Sequence, residues 1–257
     1  MLIMANQTNP QRINRNLRNF AKTDAPCSYV PGKRVQMNHR EVDIVSTNFS
    51  TRVTQRGWRR FGRSFIYPVC KDCNACKSLR IDVANYKFSK SQQKIINRNE
   101  RTEIVAKMPQ VTDEHIALYN KYHQYKSKHN GWKHTDITRT EYFENYVEGA
   151  HEFGKELRYY IDGKLVCVDL IDILDDSISA IYCYYDPDYP RFSLGTYSLL
   201  YEIQIAESLG LDWVYLGYWV EGYKSFEYKK NFQPLQILDG FPLMFETADW
   251  KPWTVEN

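Results

Sequence analysis

No run of about 18 or more apolar residues occurs in the chain, which excludes a membrane-spanning helix of ordinary length. The opening segment, Met1 to Phe20, has no apolar stretch like that of a secretory signal and is rich in Asn and Arg, so a cytoplasmic protein is expected. Without export, disulfides are not expected among the 6 cysteines, and Cys167 and Cys183, set in apolar strand-like segments, read as buried packing residues. Internal repeats, low-complexity tracts and an obvious linker are missing too. So is a strong charge imbalance: a net charge of +3 does not define a nucleic-acid binder, because phosphate affinity depends on where the cations lie. They cluster at Arg12–Arg18, Arg52–Arg63 and Lys87–Arg101, each run readable as a solvated face or as a phosphate-facing one, whereas the C-terminal half carries acidic pairs such as Asp175-Asp176. What the chain does have is apolar material, 43% of 257 residues, enough for a sizeable core, and an aromatic share of 15% with 20 tyrosines. Most of those rings belong to the core, and a minority could stack on a ligand.

Along the chain, residues 1–25 lack apolar periodicity and are expected to form a flexible arm. A short helix is expected over Ser46–Arg56 and strands over Arg63–Val69 and Ser78–Val83. A basic helix over Ser89–Glu100 and a strand over Arg101–Met108 follow. Helical spacing recurs over Thr112–His129 and Arg139–Val147. From Leu157 the period changes to that of strands, with a hairpin turning at Asp162-Gly163-Lys164 and a third strand over Ser177–Tyr185. A helix capped at Ser193, stopping at Gly210, and a strand over Trp213–Tyr218 complete the pattern. These elements divide into the arm, an N-terminal α/β subdomain over 26–109 that carries a cysteine cluster, and a C-terminal domain over 110–257.

Antiparallel strands, a helix launched from the end of a central strand, then another strand is the order of an acetyltransferase-like (GNAT) core. By that analogy the fold class is α+β with a GNAT core in the C-terminal half. Such a core suits acyl transfer to an amine, since splayed central strands leave backbone N–H groups free for a carbonyl oxygen. Acetyl-CoA users place a Gly-rich loop for the pyrophosphate before the helix, and only Ser193-Leu194-Gly195-Thr196 stands there. That disfavours a GNAT-type N-acetyltransferase using acetyl-CoA, while the helix start still offers N–H groups to one phosphate or carboxylate.

Several blocks occur in order: Gly57-Trp58-Arg59-Arg60; Cys70, Cys73, Cys76 and Arg80; Tyr185-Asp186-Pro187-Asp188; Ser193-Leu194-Gly195-Thr196-Tyr197; and Tyr215-Leu216-Gly217-Tyr218-Trp219 with Lys224, Tyr228 and Phe232-Gln233-Pro234. On these blocks the chain resembles, over nearly its whole length, the aminoacyl-tRNA–protein transferase family. Within that family it resembles the bacterial aspartate/glutamate leucyltransferase branch, with eukaryotic arginyltransferases as relatives. The resemblance implies transfer of Leu from Leu-tRNA to proteins beginning with Asp or Glu, marking them for N-degron degradation; an Arg donor is the alternative within the family. The family commonly has Cys and Met where this chain has Tyr223 and Phe226, which excludes a thiol nucleophile there. Val30 stands where arginyltransferases tend to carry a second cysteine.

An aminoacyl ester is already activated, so its attack by a peptide amine needs placement, proton removal and oxyanion stabilisation, and no cofactor. Asp186, at the end of a central strand, is the first candidate base, then Asp172 and Glu221; a strand-terminating turn is the other reading of Asp186. Arg59, Arg60 and Arg80 are candidates to grip the acceptor carboxylate, or else face phosphates or solvent. Ser193, Gly195, Thr196 and Tyr218 are expected to line the substrate site. Lys224 and Tyr228 could meet the acceptor or the terminal adenosine. Cys70, Cys73 and Cys76, with Cys27 as a fourth ligand, could hold zinc or an iron–sulfur cluster; free buried or redox-sensitive thiols are the alternative. A non-catalytic tRNA-binding or metal-sensing protein is the reading from another class. Oligomeric state is not legible.

Overall fold

Short polar residues open the helices by satisfying N–H groups that a helix start leaves without partners. Ser46 accepts from the Phe49 N–H ahead of α1 (Thr47–Thr54). Ser89 and Gln92 form a reciprocal capping box on α2 (Lys90–Arg98), as Thr138 and Glu141 do on α4 (Arg139–Tyr142), which runs on into a π turn (Phe143–Val147). Between them, Thr112 accepts from the His115 N–H at the head of α3 (Asp113–Asn130), and left-handed Gly131 ends it. The computed structural model describes residues 17–253; the part of the expected arm over 1–16 lies outside them.

The chain is mixed α+β, with two sheets. A four-stranded antiparallel sheet has the order β1 (Leu17–Pro26), β2 (Arg34–Val42), β4 (Ser64–Pro68), β3 (Arg59–Phe61). Residues 17–25, expected in the flexible arm, are therefore a strand instead. Pairing with β2 from Leu17↔Val42 to Pro26↔Arg34 supplies hydrogen bonds that the aperiodic local sequence does not announce. The second sheet has eight strands: β5 (Lys77–Asp82), β6 (Glu103–Lys107), β7 (Gly154–Ile161), β8 (Lys164–Ile173), β9 (Ser177–Tyr185), β10 (Trp213–Trp219), β11 (Leu235–Asp239) and β12 (Asp249–Trp253). Their spatial order is β12-β11-β5-β10-β9-β8-β7-β6. A boundary at 109 is not followed by this hydrogen bonding, for β5 sits between β11 and β10 and β6 forms the edge beside β7. Val53, Trp58 and Phe65 pack against Phe153 and Leu174, sealing the small sheet onto the large one.

In the β7–β8 hairpin, Asp162 and Gly163 both take positive φ (50° and 75°), the conformation a two-residue turn of matching twist requires. Helices cover both faces of the large sheet. On one, Leu200 and Ile203 of α5 (Leu194–Ser208) pack with Leu79, Ile81, Ile178, Val214 and Leu216, and Ile95 and Ile96 of α2 join them. On the other, Leu118, Tyr119 and Tyr122 of α3 and Tyr142 of α4 meet Val168, Leu170, Ile181 and Tyr184.

The sheet is antiparallel except at β9 and β10, which α5 links as parallel strands. They pair only at Ser177–Ser179 with Trp213–Tyr215. Beyond that, Ala180–Tyr185 and Leu216–Trp219 carry no mutual register, and a gap opens at the centre of the sheet.

Candidate functional site

The gap is occupied from two sides by buried cations. Arg59, from β3, donates Nη1 to Ser179 Oγ at 3.4 Å and Nη2 to the Ala180 carbonyl, so it bonds to β9 just past the last paired residue. Its guanidinium fits because Gly217 lacks a Cβ, which would lie 2.7 Å from Arg59 Cζ. Lys229, from a 3₁₀ segment (Lys224–Asn231), donates Nζ to the Leu216 carbonyl at 2.8 Å and to the Tyr218 carbonyl. Backbone oxygens on both strands that would pair across a closed sheet are thus met by side-chain N–H groups. Burial pushes Lys229 down to about 7, and the nearby Arg59 charge adds to this. Below the gap Asp169 of β8 and Glu202 of α5 are buried side by side, and burial pushes both carboxyls up.

The other expected residues are spread around this centre. Asp186, 1% exposed just past β9, accepts from Lys121 at 2.5 Å, Lys164 at 2.8 Å and the Asp188 N–H at 3.0 Å. Burial pushes its carboxyl up, but those donors outweigh it and hold the group below the usual carboxylate range. Asp172 is locked to Arg60 by two bonds of 2.6 and 2.7 Å, both residues buried. Asp172 pairs with Ser179 in register, seven residues before Asp186 and so roughly 23 Å from it along the strand. The two carboxylates therefore cannot serve one reacting carbon. Glu221 is exposed two residues past the end of β10.

Arg80 projects on the β11 side of β10, its guanidinium bonded to Gln236 Oε1 and Tyr215 Oη and stacked over Trp213 at 3.5 Å and Trp250 at 4.4 Å. Of the three arginines only Arg59 is in the gap. Tyr218 donates its hydroxyl to the Gly57 carbonyl at 2.9 Å, tying β10 to the turn that launches Arg59.

At the head of α5, Ser193 takes a left-handed conformation and makes no side-chain cap, contrary to the expected capping role; Thr196 lies in the first turn. Gly195 lets the helix approach Tyr185, whose Cε1 would be 2.7 Å from an added Cβ. Lys224 and half-exposed Tyr228 lie on the 3₁₀ segment, and Lys224 lines a cavity of about 280 Å³ with His129, Asn130, Tyr223 and Ser225.

The cysteines sit near one another at the junction of the sheets. Cys27 Sγ accepts from the Tyr29 and Val30 N–H groups, both at 3.4 Å, and Cys70 Sγ accepts from the Gln36 N–H at 3.3 Å. Burial, then the neighbouring Cys70, Cys27 and Cys73, push the Cys76 thiol up to about 12. Among the described residues no group of three or more His, Cys, Asp or Glu side chains is gathered as a metal would need.

Sequence reasoning missed Lys229 and the Asp169–Glu202 pair. The acids had a signal: both stand among apolar neighbours in β8 and α5. The lysine, in a polar segment, had none.

Two family models match the chain, arginine-tRNA-protein transferase N terminus over residues 25–94 and C terminus over 114–239. An aspartate/glutamate leucyltransferase of Campylobacter jejuni is 46% identical over 227 residues, covering 88% of this chain and 95% of that one. Another, from Helicobacter hepaticus, is 37% identical and covers 88% and 93%. The chain thus belongs to the aminoacyl-tRNA–protein transferase family. Among solved structures, L-PGS from Bacillus licheniformis is 13% identical with a TM-score of 0.44, covering 84% of this chain and 75% of that one.

Proposed function

We propose that this aminoacyltransferase moves Leu from Leu-tRNA onto proteins whose first residue is Asp or Glu, marking them for N-degron turnover, and that the reaction takes place at the β9/β10 gap. The observation that carries this is the gap itself, two central strands held apart next to the head of α5. We read this crossover as a GNAT-type core. Divergent strands leave N–H groups that can donate to the ester carbonyl oxygen and stabilise the oxyanion as the amine attacks. A peptide α-amine, with a pKa near ~8, needs little help to lose its proton at neutral pH. Glu221, exposed just past β10, is the base we favour, relaying the amine's proton through water to the ribose oxygen, which leaves as the tRNA hydroxyl when the tetrahedral intermediate collapses to the amide. Asp186, held ionised by two lysines, is a poor proton acceptor and serves to set Lys121 and Lys164 at the end of β9. Asp172 neutralises Arg60. The charged 2′,3′-end of the tRNA is expected to approach over Ser193–Thr196 and Tyr228.

For the four cysteines we propose a structural zinc or iron–sulfur site. Three thiols at short spacing and Cys27, the fourth, are the soft ligands such a group takes, and two of them already accept backbone N–H bonds. The ion would supply no step of the transfer. Metal analysis and the visible spectrum of anaerobically purified protein test this; full alkylation of all four thiols without chelator, with no bound metal, would refute it. No helix among the described residues is long and apolar enough to cross a membrane, and a cytoplasmic location accords with soluble substrates.

The deciding experiment incubates purified protein with radiolabelled Leu-tRNA or Arg-tRNA and peptides beginning with Asp, Glu, Lys or Ala. Label from Leu-tRNA on the acidic starts alone is expected. Label from Arg-tRNA would reassign the donor, and acetyl transfer from acetyl-CoA would displace the reading altogether.

A further inference from the structure

A carboxylate arriving at the open end of the gap needs a cation that the fold has not already engaged. Lys121 and Lys164 hold Asp186, Arg60 holds Asp172, and Arg59 and Lys229 hold backbone and hydroxyl oxygens of the splayed strands. Lys126 of α3 is different. Its half-buried ammonium is surrounded by three rings, Tyr122 at 5.3 Å and Trp132 and Tyr185 each at 5.8 Å. Among the described residues no carboxylate lies within ion-pair distance of it. Tyr185 ends β9 and packs on Gly195 at the head of α5, so this cage is at the gap. Trp132 donates its Nε1 to Ser225 Oγ at 3.4 Å, which joins the cage to the cavity of about 280 Å³ that Lys224 and Ser225 line.

Ring faces attract the ammonium but supply no counter-charge, and they keep water from one side of it. A carboxylate seated there meets the cation where screening is weak, whereas an amide of the same shape gains far less. Burial already lowers the Lys126 pKa, so an incoming anion relieves a cost built into the fold.

We propose that Lys126 reads the acidic side chain of the acceptor's first residue, with the carboxylate lodged between the aromatic cage and the cavity beside Lys224. This rests on the transferase reading above.

The test uses the full chain with Leu-tRNA and peptides differing only in a first residue of Asp, Asn, Glu or Gln. Lys126→Met is expected to lower kcat/KM on the Asp and Glu peptides about 10- to 100-fold, leave the Asn and Gln peptides nearly unchanged, and leave the KM for tRNA unchanged. Lys126→Arg should restore part of the preference, and Lys126→Glu should turn it against acidic starts while the protein stays folded by circular dichroism. An equal loss on all four peptides would make Lys126 structural, and a loss confined to the KM for tRNA would make it a phosphate contact; either overturns the proposal. If the wild-type protein transfers Leu to none of the peptides, the transferase reading fails first; if it transfers and Lys126→Met keeps the Asp over Asn preference, only the Lys126 assignment fails.

Discussion

Arg60 and Asp172 are 5% and 4% exposed and meet through paired bonds, so neither charge has water to fall back on. Arg60→Met should strand the carboxylate and cost about 3–5 kcal/mol in a urea titration, and adding Asp172→Leu should recover most of it; a single variant as stable as wild type would show that the pair is not buried in solution. Lys229 is a buried cation of the opposite kind, with carbonyl partners and no carboxylate. Its pKa near about 7 lies below the unfolded value, so between that pH and the unfolded lysine pKa the unfolded chain binds the extra proton and folding stability rises with pH. In Lys229→Met this part of the slope should vanish, which melting curves from pH 7 to about 9 would reveal; identical slopes would place the ammonium in contact with water. Glu221→Gln, in the proposed base, should lower kcat by about 10²-fold, within the range for general base catalysis, and leave the KM for tRNA intact.

At the scale of elements, the parallel β9–α5–β10 crossover owes its gap to a few local choices. Gly217 sits at φ 70° beside a register shift in β10, where a left-handed residue without a Cβ lets Arg59 pass. Gly217→Ala combines backbone strain with a clash, and is expected to cost about 1–3 kcal/mol and to depress turnover even at temperatures where the protein remains folded. Full turnover would mean that the width of the gap does not govern the reaction. The heads of α1 to α4 follow their capping residues, which is why their starts were readable in advance. That of α5 does not, because left-handed Ser193 is dictated by the preceding 3₁₀ turn (Pro190–Phe192) and not by a side-chain cap.

For the whole molecule, 34 Lys and Arg against 31 Asp and Glu leave little net charge, so tRNA affinity must come from local cation density. Raising salt from ~50 to ~200 mM should increase the KM for charged tRNA at least about tenfold, while the preference for Asp over Asn starts, which we propose is set at half-buried Lys126, changes far less. A salt-insensitive KM would mean that recognition does not run through phosphates. The ordered blocks from Gly57 to Pro234 were enough to identify the family, and the periodicity of α3, β7, β8 and β9 was enough to place those elements, since both are local properties of the chain. Which side chains meet was not local. The roles of Arg60, Arg80 and Asp186 turned on partners 65 to 156 positions away, at Asp172, Gln236 and Lys121. The strand at β1 and the insertion of β5 beside β10 likewise depended on pairing across distant segments. Sequence by itself determined the family, the starts of α1 to α4 and the positions of β7 to β9, because these follow from neighbouring residues. Only the tertiary structure decided which cations are already neutralised, because burial and charge pairing exist only once remote segments are packed together.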